Sequence, residues 1–278
     1  MKQYAKLSNK SKKSSKNTKF VISLSINITY NPIDINKMKI LKKYLDNNNL
    51  LLLSNEEYNN AYTTIKEKII KNKEPVDSPV AITLGGQPGS GKSTLYSIAQ
   101  KRFSNNIVEI NCDDFRVYHP YAKQIHYIFG EEDSLKTNPF VFNMVDKLIE
   151  ELSEKKYNLI IESSLNSPNS ALDNGKNLNP KGYKVELQVM ATSKQISWQG
   201  TIDRYNEEIK KGKIPRAIKR EYHDMVIQNI CKSLQTVKNS GLMSNILIYN
   251  RNKICLYDMS KNEDIEPSQL LYSIINNH

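Results

Sequence analysis

The run Gly86-Gln87-Pro88-Gly89-Ser90-Gly91-Lys92-Ser93 has the residue types and spacing for one piece of chemistry, the cradling of a nucleotide's phosphates. Its glycines let the backbone turn so that several N–H groups converge on a single anion. Lys92 is spaced to reach the β- and γ-phosphates, and the Ser93 hydroxyl to hold Mg²⁺. Thr94 adjoins the loop and counts with its nucleotide-binding residues. The flanks suit the motif. Val80-Ala81-Ile82-Thr83-Leu84 reads as a buried strand, and Thr94-Leu95-Tyr96-Ser97-Ile98-Ala99 as the first turns of a helix.

Other candidates fall where such folds place function, at the carboxyl ends of strands. Ile110-Asn111-Cys112-Asp113-Asp114-Phe115 ends a second apolar run in two carboxylates. Either can take a proton from a substrate hydroxyl, and either can cap the next helix, so spacing alone leaves Asp113 and Asp114 open. A third run, 158–162, ends in Glu162, and the polar loop Ser163-Ser164-Leu165-Asn166-Ser167 follows. Glu162 can orient a substrate or approach Mg²⁺ through water, and the loop suits a hydroxyl-rich ligand. Arg204 and Arg216 flank a charged segment and suit neutralisation of a γ-phosphate, although lone arginines are most often surface residues. His119, His126, His223 and His278 show no metal-ligand spacing.

These residues need a scaffold. Strand runs at 80–84, 107–111, 158–162, 184–190 and 245–249 alternate with helical patterns, and 253–257 reads as a last strand. Phe140, Met144, Leu148 and Leu152 stand four apart in a helix over 140–155, and a long helix is expected over 216–238. The alternation predicts an α/β fold, a mostly parallel sheet with helices on both faces in the three-layer P-loop kinase manner. Ser54-Asn55-Glu56-Glu57 is a capping box that opens a helix over 55–71. The expected organisation is a basic disordered tail over 1–19, an N-terminal extension over 20–77 and a kinase domain over 78–278.

The net charge of +11 suggests nucleic acid, but seven lysines with no acidic residue lie in 1–19, leaving +4 for the rest. Tyr4 is the one aromatic in that tail, too few to interleave its lysines for base stacking, which argues against a nucleic-acid partner. Three scattered cysteines, Cys112, Cys231 and Cys255, suit free thiols in a reducing compartment. No apolar run approaches the ~20 residues of a membrane span, so the expectation is a cytoplasmic protein without a membrane partner. No Asp-Glu pair of a helicase-like motor follows a strand, and Thr192-Ser193-Lys194-Gln195 lacks the aspartate of a guanine-reading motif.

Taken together, the motifs resemble the zeta toxin family, the kinase components of bacterial epsilon–zeta toxin–antitoxin systems. The resemblance spans roughly 80–255 and rests on an ordered set. The set is Leu84-Gly85 through Ser93; Asp113-Asp114-Phe115 with His119-Pro120; Gly182-Tyr183; Val189-Met190-Ala191; Gly200 to Tyr205; Arg216-Ala217 with His223-Asp224; Ser240-Gly241-Leu242; and Leu247 to Arg251. It implies ATP- and Mg²⁺-dependent phosphorylation of the 3′-hydroxyl of UDP-N-acetylglucosamine, which blocks early peptidoglycan synthesis. It also implies a small helical antitoxin in the nucleotide cleft. By position it makes Asp113 the catalytic base, Lys92 the phosphate-binding lysine, and Arg204 and Arg216 the phosphate-neutralising pair. Glu162 becomes a sugar-binding carboxylate and Ser164 a substrate-contacting hydroxyl. Where the family reads Glu-Gly-Thr-Gly-Arg, this chain reads Glu162-Ser163-Ser164-Leu165-Asn166, so Asn166 replaces a substrate-side arginine. The alternatives are a kinase for another hydroxylated acceptor, such as a nucleoside or antibiotic, and a P-loop NTPase linked to nucleic acid.

Overall fold

The computed structural model describes residues 53–277 apart from 214 and 263. The expected tail over 1–19, and the extension as far as residue 52, lie outside the described residues.

β1 (Val80–Gly85) is buried along its whole length. Strands so enclosed need cover on both faces, and alternate residues of β1 enter two separate clusters. Ala81 joins the larger core, while Val80, Ile82 and Leu84 pack with Leu95 and Ala99 of α2 (Ser93–Arg102). β3 (Leu159–Ile161) divides the same way, Leu159 and Ile161 to one face and Ile160 to the other. β1 lies between β3 and β4 (Lys184–Met190), and the six-stranded sheet reads β2-β3-β1-β4-β5-β6. β2 is Val108–Ile110, β5 Asn245–Tyr249 and β6 Cys255–Asp258. β6 alone pairs antiparallel, so the fold is a mostly parallel α/β sheet of the P-loop kinase type. The strand order reverses about β1, and the carboxyl ends of β1, β2 and β3 open on one crevice.

The outer helices follow their apolar spacing. α1 (Asn55–Ile70) starts at the capping box: Glu57 N–H donates to the Ser54 hydroxyl, and Ser54 N–H donates to Glu57. It buries Ala61, Tyr62 and Ile65, and Tyr62 Oη donates to Glu151 at 2.5 Å. Lys155 first, then Tyr62 and Lys66, hold the Glu151 carboxyl down at about 2. Glu151 belongs to α5 (Asp133–Glu154), which buries Phe140, Met144, Leu148 and Leu152. This helix begins seven residues before the expected 140 and carries Pro139 in its second turn. Side chains steady that irregular start: Thr137 Oγ1 donates to Asp133 O, and Arg116 Nη1 to Ser134 O. Two further helices, α3 (Cys112–Phe115) and α4 (Ala122–Phe129), fill the span between β2 and α5.

The remaining helices are α6 (Asn169–Leu178), α7 (Lys194–Lys210), α8 (Arg220–Asn239) and α9 (Pro267–Asn276). α8 corrects the expected helix over 216–238. Residues 216–219 are not helical, because the segment is tied elsewhere. Arg216 N–H donates to the Glu208 carboxylate at 2.9 Å, and its side chain turns toward Asp113. No helix among the described residues is long and apolar enough to cross a membrane.

Candidate active site

The loop 86–92 joins β1 to α2, and its glycines adopt φ values that L side chains rarely tolerate: +151° at Gly86, +73° at Gly89 and +94° at Gly91. Gly89 is wedged against α7, where a Cβ at Gly200 would stand 2.5 Å from Gly89 O. Gln87 and Ser90 are fully buried within the loop. The Ser90 hydroxyl has no hydrogen-bond partner. A buried, unpaired donor in a Gly-rich loop fits a site completed by an anionic ligand.

Lys92 projects from the loop into a nearly closed space. Its Nζ donates to Gly86 O at 2.9 Å and pairs with Glu162 Oε1 at 3.5 Å. Burial lowers its pKa, Glu162 opposes that shift, and the positive charges of Arg204 and Arg216 add to it. Glu162, at the end of β3, also accepts from Tyr96 Oη at 2.8 Å. Burial first, and Glu162 second, push that phenol upward. Ser93 is exposed at the first position of α2. Among the described residues no three His, Cys, Asp or Glu side chains cluster to hold a metal.

The two aspartates after β2 separate. The cap of α3 is Asn111, whose side chain accepts from Asp113 N–H at 3.0 Å, so neither aspartate fills that role. The Asp113 carboxylate is gripped by two guanidinium groups, Arg116 Nε on Oδ1 at 3.2 Å and Arg216 Nη1 on Oδ2. Asp114 is exposed as a residue and meets neither guanidinium, while its carboxyl lies in a partly desolvated place near Glu162 and Glu109. Desolvation, then the charges of Glu162 and Glu109, raise its carboxyl. Arg116 is itself fixed by Ser134 O, Thr137 Oγ1 and Asn138 Oδ1, each at 2.8 Å. Sequence reasoning passed over Arg116, whose signal was only its place one helical turn after Asp113. Arg216 is half-buried, and its Nε is buried without a hydrogen-bond partner. Arg204 stands exposed on α7 and acts on Lys92 through its charge alone.

The loop after β3 folds over the P-loop. Ser164 O accepts from Gly86 N–H, and Leu165 is fully buried at φ +57°, a conformation unusual for leucine. Ser164 Oγ accepts from Tyr222 Oη at 3.3 Å, and Asn166 Oδ1 accepts from Asn229 Nδ2 at 3.0 Å. α8 therefore packs along this loop through Tyr222 and Asn229. No local motif marked either residue, since their partners lie 58 and 63 residues away. Arg251 also escaped notice as a site residue; its side chain lies against Gly91, 3.3 Å from where a Cβ would be. His119 is structural: it is buried, stacks edge-on against Phe140, and accepts from Tyr121 N–H through Nδ1.

The model of the zeta toxin family matches residues 63–262. Toxin PezT of Streptococcus pneumoniae is 32% identical over 210 residues, 75% of this chain and 83% of that protein. Toxin zeta of Streptococcus pyogenes is 31% identical over 229 residues, 82% of this chain and 80% of its own length. A solved structure of the PezAT chromosomal toxin–antitoxin system of S. pneumoniae superposes with a TM-score of 0.75 at 28% identity, covering 82% of this chain and 90% of that one. The AvrRxo1-ORF1:-ORF2 complex with ATP shares only the fold, at a TM-score of 0.54 and 15% identity over 90% of this chain and 79% of that one. The likeness to both toxins runs across most of each chain, and this chain belongs to the zeta toxin family of P-loop kinases.

Proposed function

We propose that the chain transfers the γ-phosphate of ATP, with Mg²⁺, to the 3′-hydroxyl of UDP-N-acetylglucosamine and so blocks cell-wall precursor synthesis. One observation carries this reading. Asp113, Lys92 and Glu162 come from three adjacent strand ends, and Arg216 reaches across to Asp113. A carboxylate, a lysine and a guanidinium thus face one crevice, which supports their reading as base, phosphate-binding lysine and phosphate-neutralising cation.

In this reading the P-loop N–H groups and Lys92 hold the β- and γ-phosphates. Asp113 accepts the proton of the acceptor hydroxyl as its oxygen forms a bond to the γ-phosphorus. The bond from that phosphorus to the bridging oxygen breaks, and ADP leaves. Arg216 moves from the carboxylate to the transferring phosphate, and Arg204 adds positive charge from α7. Mg²⁺, carried on the phosphates with Ser93 as the protein ligand, would neutralise their charge. Glu162 and Ser164 orient the sugar from the loop after β3.

The PezAT and AvrRxo1-ORF1:-ORF2 assemblies each pair a protein of this fold with a second chain. Together with the family membership they support a small helical antitoxin as partner here, and toxin action points to the cytoplasm as its place. Incubating the protein with ATP, Mg²⁺ and UDP-N-acetylglucosamine, and weighing the products by mass spectrometry, tests the reaction.

A kinase for a different hydroxylated acceptor is the second reading. It is favoured by the Asn166–Asn229 pair, which makes this side of the proposed subsite neutral. An acceptor screen separates the two.

A further inference from the structure

A second constellation lies beside the P-loop, on the side away from Asp113. Ser197 of α7 has its hydroxyl 3.0 Å from His223 Nε2 of α8, and His223 Nδ1 lies 3.4 Å from Asp224 Oδ1. The order of groups is that of a hydrolytic triad. Burial excludes that chemistry, because Ser197 and His223 both have no exposed surface and no substrate can approach the hydroxyl.

The constellation leads instead to the phosphate-binding loop. Gln87, also fully buried, donates from Nε2 to Ser197 Oγ at 3.3 Å and to Thr192 O at 2.6 Å. Thr192 Oγ1 donates to Ser90 O at 2.7 Å. Ser197 Oγ also donates to Lys194 O at 3.1 Å, so the hydroxyl joins three segments at one point. The backbone fit is just as tight: a Cβ at Gly89 would collide with Ser197 O, and one at Gly200 with Gly89 O. Trp198 closes the far side, its ring edge-on to His223 at 5.4 Å and covered by Arg220 at 4.6 Å.

We propose that His223 is a positioning residue for the P-loop, acting through Ser197 and Gln87 rather than on any substrate. The imidazole fixes the Ser197 hydroxyl, the hydroxyl fixes the Gln87 amide, and the amide fixes the loop conformation at residues 87–90. α8 thereby sets the geometry of the phosphate cradle, in addition to packing along the loop after β3 through Tyr222 and Asn229. This rests on the reading that the loop binds ATP, and not on the identity of the acceptor.

The test is calorimetric binding of a non-hydrolysable Mg²⁺–ATP analogue to the full chain. Ser197→Ala, a minimal change, and His223→Phe, which keeps the ring, are each expected to weaken binding about three- to tenfold, the scale of one lost buried hydrogen bond. His223→Gln, whose amide reaches the Ser197 hydroxyl, is expected to stay within about twofold of wild type. The double variant is expected to be no weaker than the weaker single one, since both act through one contact. Wild-type affinity in Ser197→Ala, losses that multiply in the double variant, or His223→Gln as weak as His223→Phe would each overturn the proposal. Analogue binding without phosphorylation of any acceptor leaves this inference standing and removes only the proposed function. A wild-type chain that binds no analogue overturns both.

Discussion

Asp113 and Arg216 are bound to each other, 103 residues apart in sequence, with Arg116 on the second carboxylate oxygen. A carboxylate whose two oxygens are each occupied by a guanidinium is not open to a substrate hydroxyl. In the proposed mechanism the nucleotide's phosphates would compete for Arg216, and nucleotide binding would free the Asp113 carboxylate. The acceptor is therefore expected to bind more tightly once ATP is in place. Titrating UDP-N-acetylglucosamine with and without a non-hydrolysable ATP analogue checks this, and equal affinities would show that the pair does not gate the site.

The same geometry ranks the two neighbouring aspartates. Asp113→Ala is expected to lower kcat by about 10²–10⁴-fold, the usual value of a general base. Asp114→Ala, which touches neither arginine in the structure, is expected to stay within about threefold of wild type. Steady-state kinetics on the two variants decide. A large loss in Asp114→Ala beside a mild one in Asp113→Ala would transfer the base to Asp114.

How far the sequence announced this site depends on where each signal sits along the chain. The P-loop was legible because its chemistry lies within eight consecutive residues, Gly86 to Ser93, flanked by a strand and a helix. The α/β class followed from strand runs that are almost continuously apolar, β3 throughout and β1 broken only by Thr83 before its terminal glycine, with burial on both faces. Asp113 and Asp114 could not be separated from spacing, because the difference between them is the arginines that approach one and not the other. Tyr222 and Asn229 were invisible for the same reason, as they act across 58 and 63 residues. The start of α8 was misplaced because apolar periodicity continues through Ile218, while Arg216 is drawn off to Glu208 and Asp113.

Acid should destabilise the fold through a buried imidazole. Burial takes the pKa of His119 from 6.5 down to about 4, with Glu57 opposing the shift. A depressed histidine is neutral when folded and gains its proton when unfolded, so stability present above pH 6.5 is lost as the pH falls toward 4. The full effect is on the order of 3 kcal/mol. Melting curves should show Tm falling over that window, and His119→Phe, which keeps the stack on Phe140, should flatten the fall. An unchanged slope in the variant would place the acid sensitivity elsewhere.

Asn166 reports on the acceptor. Its side-chain oxygen is held by Asn229, so a neutral amide pair stands here. Asn166→Arg supplies a forked cation. It is expected to lower KM for UDP-N-acetylglucosamine about ten- to a hundredfold and leave KM for ATP unchanged, the value of a charge-assisted hydrogen bond. A raised KM in that variant would show that the subsite is fitted to the amide pair.

Transfer itself is the decisive measurement. Purified protein, ATP, Mg²⁺ and UDP-N-acetylglucosamine should give a product heavier than the sugar nucleotide by one phosphoryl group, with the phosphate on the 3′-oxygen and none formed by Lys92→Ala. An unaltered sugar nucleotide, under conditions where the same preparation binds ATP and phosphorylates another hydroxyl compound, would contradict the assignment of this acceptor.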